Sequence, residues 1–309
     1  MEKLIIGVIA SESEEYNLMK KNWEMNADNC NSDIEVYFLY GDKNLEKSYN
    51  IEKNTKNTYN FYSKCEETFN NLLYKTISFF EWVLLNKQNC MVIRSNLSTL
   101  FKLDDIFSLY KDFYKYKYFF GGTFIGETEK YNIIFSGTNL TFSIETLKLI
   151  LDYKNELLKI KKNDDVVLSE FICKNYYNIH QFYNLKRLDF TDIILFQFSE
   201  LQNIDDILCY RFKSNNRIKD NKLMKEILKK SFDQNFIKDK IIFDYNVCAK
   251  IYFDYEKSSG EILFYNTIID TSIKGYVKQN KITLLNKFIL KPTNLEKCRD
   301  IGLFRIVKE

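Results

Sequence analysis

The sequence predicts an open, mostly parallel α/β sheet that is followed by a β-rich C-terminal extension. In the first half of the chain, short apolar runs alternate with amphipathic segments, which is typical of α/β proteins. The run from Leu4 to Ala10 is apolar or small throughout, as in a parallel strand that is buried on both faces. Six of the nine glycines lie from Gly7 to Gly137, so tight turns and close backbone approaches are expected there.

Strands and helices are expected to alternate along this half. Apolar runs predict strands at residues 4–10, 34–40, 90–93, 118–120 and 133–135. Periodic apolar residues predict helices at 14–23, 66–85 and 103–114. Ser143 is expected to cap a helix that runs through residue 153, and Asp164 or Asp165 to begin one that runs through residue 173. The sequence therefore predicts an α/β domain over residues 1–234.

The second half of the chain has a different pattern. We expect strands at 193–198 and 208–212 and a helix at 220–232. The segments 241–245, 249–253, 261–268 and 282–285 then alternate as antiparallel hairpins do, with a turn at Ser258-Ser259-Gly260. These segments predict a β-rich extension over residues 235–309.

Composition and charge exclude several classes of function. The 45 basic and 42 acidic residues give a net charge of only +3, without the basic block that favours nucleic-acid binding. The seven cysteines are widely spaced and there is a single histidine, which argues against a disulfide framework, a zinc knuckle and a Ser-His-Asp triad. No apolar run approaches the ~20 residues that span a bilayer. No leader is evident after Met1, so a cytoplasmic location is expected, in the host cytoplasm if the protein is viral.

The polar residues at the strand ends predict where a ligand would bind. Ligands of open α/β sheets lie beyond the carboxyl ends of the strands. The candidate segments there are Ala10 to Ser13, Tyr40-Gly41, Arg94 to Ser98, Ser136-Gly137 and Asp164-Asp165. We expect the segment Arg94-Ser95-Asn96-Leu97-Ser98 to form a polar turn at the centre of the site.

The order of short motifs resembles that of the GT-A-fold glycosyltransferases, in particular the β-1,3-galactosyltransferase and Fringe-like families. The P-loop, dinucleotide-binding and nucleophile-elbow signatures are absent. Residues 1 to 175 carry the resemblance, in the motifs Lys75-Thr76, Trp82, Cys90, Ser136-Gly137 and Asp164-Asp165-Val166. The chain also resembles uncharacterised viral and bacterial transferase-like proteins with Arg-Thr-Asn-Leu-Ser-Ser in place of Asp-x-Asp. Tyr210-Arg211-Phe212-Lys213 matches a downstream segment of that pattern.

The resemblance implies a nucleotide-binding sheet of GT-A type and transfer of a sugar from a nucleotide-sugar donor to a glycan or another hydroxyl acceptor, with inversion. It places Asp165 or Asp164 as the base that takes the proton of the acceptor. It places Ser136 and Gly137 near the acceptor or the sugar. The expected donor-binding residues are Ala10, Ser11, Tyr40, Arg94, Ser95, Asn96 and Ser98.

The departure from Asp-x-Asp concerns the metal. In that motif carboxylates hold Mn²⁺ or Mg²⁺ against the donor diphosphate. The segment Arg94 to Ser98 offers no carboxylate, so no metal ligand is assigned and the use of Mn²⁺ or Mg²⁺ is left open. We expect metal-independent transfer, in which Arg94 binds the diphosphate.

Two structural alternatives and one functional alternative stay open. Arg94 can tie down a neighbouring acid while Asn96 holds the turn. Asp164 and Asp165 can serve as a helix cap. The chain can also be a catalytically silent GT-A-like protein that binds a carbohydrate or a nucleotide.

Overall fold

The computed structural model describes residues 1–128, 132–190, 207–214 and 216–237, together with the backbone of six strands between residues 248 and 308. The chain divides into two compact units. The first unit comprises residues 1–187 and 208–211, and the second comprises 188–207 and 212–309. The predicted boundary at residue 235 remains a prediction.

Eleven strands and six α-helices build the first unit within its described residues. The strands are β1 (Lys3–Ile9), β2 (Ile34–Gly41), β3 (Tyr49–Lys53), β4 (Thr58–Ser63), β5 (Cys90–Asn96), β6 (Thr99–Phe101), β7 (Phe119–Gly122), β8 (Phe124–Thr128), β9 (Asn132–Phe135), β10 (Asn139–Ser143) and β11 (Gln181–Asn184). The helices are α1 (Glu14–Asp28), α2 (Leu72–Asn86), α3 (Leu103–Phe113), α4 (Ile144–Asp152), α5 (Lys154–Leu157) and α6 (Asp164–Tyr176).

Eight of these strands form one mostly parallel sheet in the order β11-β7-β10-β5-β1-β2-β4-β3. The central strands β5, β1, β2 and β4 are parallel to one another. Strand β10 lies antiparallel between β5 and β7, and β3 is antiparallel to β4. The fold class predicted from the sequence, an open and mostly parallel α/β sheet, is therefore confirmed.

Close packing of a helix on the sheet explains the glycine in the first strand. A Cβ at Gly7 would lie 2.6 Å from a ring carbon of Phe79 on α2. Phe79, Phe80 and Val83 are completely buried and belong to the same apolar core as Ile5. Strand β1 is apolar on both faces, because burial on both faces removes the usual alternation of polar residues.

The boundaries of several elements differ from the predicted ones. Strand β5 continues to Asn96, so the predicted turn at Arg94 to Ser98 is wrong for its first three residues. Arg94 and Ser95 are buried in the strand because their polar groups have partners inside the protein. Helix α2 begins at Leu72 instead of residue 66, after a 3₁₀ turn at Phe69–Asn71. Strands β3, β4 and β10 were not predicted, because their polar residues mask the apolar pattern.

The second unit contains helix and antiparallel strands. Strands β12 (Arg187–Phe190) and β13 (Cys209–Phe212) lie where the two units divide, and helix α7 (Arg217–Lys229) follows. Beyond it lie β14 (Cys248–Tyr252), β15 (Ser259–Asn266), β16 (Thr271–Lys278), β17 (Lys281–Leu284), β18 (Phe288–Pro292) and β19 (Ile301–Lys308). β15, β16 and β17 form an antiparallel meander, and β19 pairs with both β14 and β18.

The antiparallel character predicted for this part of the chain is confirmed for the described strands. The predicted turn at Ser258-Ser259-Gly260 is wrong at its last two residues, which belong to β15 because they pair with β16. Helix α7 begins three residues before the predicted start, since the side chain of Asn216 accepts a hydrogen bond from the Lys219 amide and caps it. The strands predicted at 193–198 and 241–245 lie outside the described residues.

Candidate functional site

The candidate site residues come together at the carboxyl edge of the eight-stranded sheet. Ile9, the last residue of β1, pairs with Leu39 of β2 and with Asn96 of β5. Because β10 is antiparallel to β5, its first residue, Asn139, lies beside Ser95 at the same edge. The ends of four strands and the segment Ser136-Gly137-Thr138 therefore meet there.

A buried ion pair joins β5 to the start of α6. The guanidinium of Arg94 donates to both carboxylate oxygens of Asp164, from Nε at 2.8 Å and from Nη2 at 2.8 Å. The hydroxyl of Thr76 on α2 donates to the same carboxylate at 2.9 Å. Arg94 is 3% exposed and Asp164 is 1% exposed. The neighbouring acid that the structural interpretation of Arg94 requires is therefore present.

The remaining nitrogen of Arg94 reaches the segment before β10. Nη1 donates to Oδ1 of Asn96 at 2.8 Å and to the carbonyl oxygen of Gly137. A Cβ at Gly137 would lie 2.7 Å from Nη1 of Arg94 and 2.9 Å from Oδ2 of Asp165. Glycine is thus required at this position by the close approach of two charged side chains.

The two adjacent acids of α6 have different environments. Asp165 is partly exposed, and its Oδ2 accepts a hydrogen bond from the Gly137 amide at 2.8 Å. Its Oδ1 accepts from the Val166 amide at 2.9 Å. Neither acid is the N-cap, which is Asn163, because the helix already begins at Asp164. Asp164 is paired with a cation, whereas the contacts of the Asp165 carboxylate within the described part of the chain come from two backbone amides.

A second set of hydrogen bonds fixes the segment Ser136 to Asn139. The hydroxyl of Ser95 donates to the carbonyl oxygen of Thr138 at 2.6 Å. Arg187 donates to Oγ1 of Thr138 at 2.7 Å, and the Thr138 hydroxyl donates to Oγ of Ser136 at 3.1 Å. Sequence reasoning missed Thr138 and Arg187, since neither belongs to a recognisable motif. For Thr138, the only signal in the sequence was its position directly after the Ser136-Gly137 pair.

The other predicted donor-binding residues lie along the same edge. Ala10 is buried, whereas Ser11 and Ser98 are partly exposed. The carbonyl oxygen of Leu97 accepts a hydrogen bond from Nε1 of Trp23 on α1 at 3.2 Å, which holds the turn after β5. Tyr40 is buried and stacks on Tyr62 with ring centroids 5.4 Å apart. Burial is the largest effect on Tyr40 and raises the pKa of its hydroxyl.

A second buried cation lies beyond the end of β2. Nζ of Lys75 on α2 is 2.6 Å from Oε1 of Glu67, and the side chain of Lys75 is fully buried. The Glu67 carboxylate also accepts a hydrogen bond from the Gly41 amide. A Cβ at Gly41 would lie 2.9 Å from the carbonyl oxygens of Cys65 and Glu66, so the chain passes close to the end of β2. Sequence analysis assigned Lys75 no role beyond its place in the Lys75-Thr76 motif.

The residues at the place where the resemblance would put a metal ion do not fit a divalent cation. Mn²⁺ and Mg²⁺ bind to oxygen ligands, above all carboxylates. Here Oδ1 of Asn96 and both carboxylate oxygens of Asp164 accept hydrogen bonds from the positively charged Arg94. Among the described residues, no group of three or more His, Cys, Asp or Glu is arranged to hold a metal ion.

The opposite edge of the sheet also contains a cleft. Its volume is about 490 Å³, and its lining includes Lys87, Tyr114, Ser143 and Lys148. None of the candidate site residues lines it.

Within the described part of the chain, no helix is both long enough and apolar enough to cross a bilayer.

Comparisons with known proteins find structural similarity to glycosyltransferases. A glycosyltransferase involved in glycosylation of the major capsid of PBCV-1 is 8% identical, with a TM-score of 0.43 over 72% of this chain and 98% of that chain. The galactosyltransferase LgtC in complex with donor and acceptor sugar analogues is 9% identical, with a TM-score of 0.44 over 72% and 95% of the two chains. An active-site mutant of LgtC is 9% identical, with a TM-score of 0.42 over 72% of this chain and 95% of that chain. No protein-family model and no curated protein matches the chain.

Proposed function

We propose that the protein is a glycosyltransferase that moves a sugar from a nucleotide-sugar donor to a hydroxyl acceptor, with inversion and without a metal ion. The observation that carries the proposal is the difference between the two acids of α6. Asp164 is buried and neutralised by Arg94, whereas Asp165 is partly exposed beside Ser136 and Gly137. A partly exposed carboxylate at the carboxyl edge of an open sheet is suited to act as a general base.

In the proposed reaction, Asp165 takes the proton of the acceptor hydroxyl while the acceptor oxygen attacks the anomeric carbon. The bond between that carbon and the diphosphate oxygen breaks, and the nucleoside diphosphate leaves with the electron pair. The amides of Gly137 and Val166 orient the Asp165 carboxylate for this role. Positioning a base in this way contributes typically 10²–10⁴-fold to a rate.

We propose that the donor binds along the ends of β1, β2 and β5. The partly exposed side chains of Ser11, Asn96 and Ser98 are the ones available to donate hydrogen bonds to it. Ala10 and Tyr40 would border the donor, and Ser136 and Gly137 the sugar or the acceptor.

A second candidate function is a catalytically silent protein that binds a nucleotide or a carbohydrate. The observation that favours it is the engagement of Arg94, because all three of its nitrogens donate to protein acceptors. A silent binder does not need a base at Asp165, and this difference separates the two functions.

The test is a screen of nucleotide sugars by thermal shift and by donor turnover, in EDTA and in Mn²⁺. We expect one donor class to stabilise the protein in EDTA and to be turned over with an acceptor. Asp165→Asn should lower turnover by about 10²–10⁴-fold with little change in donor binding, because it removes only the base. Asp105→Asn is the matched control, since Asp105 is an exposed acid in the first turn of α3.

Four results would contradict the proposal. If no nucleotide sugar binds under either condition, the transferase proposal loses its basis. Binding that needs Mn²⁺ would contradict the metal-free part. Full turnover by Asp165→Asn would remove the base assignment, and binding without turnover in the unmodified protein would favour the silent binder.

A further inference from the structure

The Arg94 side chain has the contacts of a fixed scaffold rather than those of a residue that waits for a ligand. Its guanidinium is held at one end by both oxygens of Asp164, which in turn accepts from Thr76. Asp164 lies on α6 and Thr76 on α2, so the guanidinium is bound to α6 directly and to α2 through Asp164. A bidentate arginine–carboxylate pair fixes the plane of the guanidinium as well as its position.

The other end of the guanidinium contacts Asn96 and Gly137, and the contact with Gly137 leads to Asp165. Nη1 of Arg94 donates to the carbonyl oxygen of Gly137, and the amide of the same glycine donates to Oδ2 of Asp165. Gly137 is therefore held from both sides, by a cation at its carbonyl group and by an anion at its amide. A Cβ at this position would lie 2.7 Å from Nη1 of Arg94 and 2.9 Å from Oδ2 of Asp165, so both charged side chains approach Gly137 closely.

The consequence is a chain of contacts that ends at Asp165. Asp164 and Thr76 orient Arg94, Arg94 places Gly137, and the Gly137 amide orients the Asp165 carboxylate. Arg94 is 3% exposed, and two successive hydrogen bonds through Gly137 connect it to this carboxylate.

We infer that Arg94 is a positioning residue that sets the orientation of the Asp165 carboxylate through Gly137, and that it is not a ligand of the donor. This inference rests on the proposed function where it concerns catalysis. The hydrogen bond from Gly137 to Asp165 can be measured whether or not the protein is a transferase. The positioning role of Arg94 and the proposed transferase function can therefore fail separately.

The first measurement is hydrogen exchange of the Gly137 amide. Labelling with ¹³C-serine and ¹⁵N-glycine selects the glycines that follow a serine, which in this sequence are Gly137 and Gly260. Gly260 lies in β15 and pairs with β16, so it serves as the reference, and Gly260→Ala assigns the two signals. In Arg94→Lys we expect Gly137 to exchange at least about tenfold faster while Gly260 is unchanged, because lysine cannot make the forked contacts of arginine.

The second measurement is turnover, once the screen has given a donor. Arg94→Lys should lower kcat by about 10²-fold while KM for the donor stays within about twofold, since a base misplaced by about 1 Å costs a factor of that size. Thr76→Val is the milder second variant, which removes one contact of Asp164 and should change both measurements in the same direction. Tyr110→Phe is the control for lost stability, because it removes a buried hydrogen bond to Thr141 away from the site.

Each outcome decides the inference. Faster exchange of Gly137 in Arg94→Lys and in Thr76→Val, but not in Tyr110→Phe, supports it. Unchanged exchange in both variants overturns it, as does a rise in the donor KM with an unchanged kcat, which would mean that Arg94 contacts the donor. If the unmodified protein turns over no nucleotide sugar, the proposed function fails, and the exchange data alone decide whether Arg94 positions the carboxylate.

Discussion

The two edges of the eight-stranded sheet hold their charges in different ways. At the carboxyl edge, Arg94 and Asp164 are almost fully buried and form a bidentate pair. At the amino edge, Glu35 binds Lys3 and Lys87 at 2.6 Å each, and the two lysine side chains are 29% and 22% exposed. One edge thus confines charge in the interior, and the other keeps it in contact with water.

This difference indicates what each edge contributes. Taking two charges out of water costs several kcal/mol for each ion, so a buried pair is weak evidence of stability in itself. Surface pairs cost little and contribute little. The carboxyl edge therefore uses its charges to fix geometry, at Gly137 and Asp165, whereas the amino edge uses them to hold the strand ends with a small gain in stability.

The largest expected effect comes from breaking the buried pair. Arg94→Met leaves the Asp164 carboxylate buried without a cation, and we expect a loss of about 3–5 kcal/mol in the free energy of unfolding. Chemical denaturation followed by circular dichroism measures this loss.

The control replaces both partners. Arg94→Met combined with Asp164→Leu removes the stranded charge, so the double variant should be more stable than Arg94→Met alone. A single variant that costs no more than a surface pair would mean that the two edges do not differ in the way described.

The sheet could be predicted from the sequence where strands are apolar on both faces. Strands β1 and β2 and the start of β5 follow this pattern, and their predicted bounds agree with the structure to within one residue at either end of β1 and β2. Strands β4 and β10 escaped prediction because buried polar residues such as Thr58, Asn139 and Thr141 interrupt the apolar pattern. Strand β10 also pairs with β5, from which several elements separate it along the chain, and local periodicity does not reveal such a pairing.

The site was predictable in its location more than in its contacts. Parallel strands bring their carboxyl ends to one edge, so the segments after β1, β2 and β5 had to meet. The partner of Arg94 was not predictable, because Asp164 lies 70 residues away along the chain. The sequence left both alternatives open for Arg94, and the ion pair with Asp164 at the start of α6 favours the structural one.

A pH effect of intermediate size is expected at the amino edge. His180 is buried; its Nδ1 donates to the carbonyl oxygen of Tyr176, and its Nε2 lies 3.1 Å from the hydroxyl of Thr146. Burial lowers the pKa of His180 below the value of about 6.5 for an unfolded chain. The unfolded chain then binds a proton more readily, so the stabilising contribution is present above about pH 6.5 and is lost as the pH falls toward the folded pKa.

Denaturation of the protein and of His180→Gln between about pH 7.5 and pH 5.5 measures this contribution. We expect the unmodified protein to lose stability on acidification in that range and His180→Gln to lose less, because glutamine does not titrate. Equal slopes in the two proteins would show that His180 is not protonated more readily on unfolding.

The smallest expected effect is at the partly exposed pair of the amino edge. Burial opposes ionisation of Glu35, but hydrogen bonds from Lys3, Lys87 and Tyr37 outweigh it and lower the pKa of this carboxyl. Lys87→Met removes one of the three donors, and we expect a loss of about 0.2–1 kcal/mol in the free energy of unfolding at neutral pH. The loss should shrink in about 1 M salt, where charges are screened within about 3 Å, whereas the larger loss in Arg94→Met should persist because its partner is buried. If the loss of stability in Lys87→Met does not depend on salt, this pair behaves like the buried pair, and the two edges do not differ in the way described.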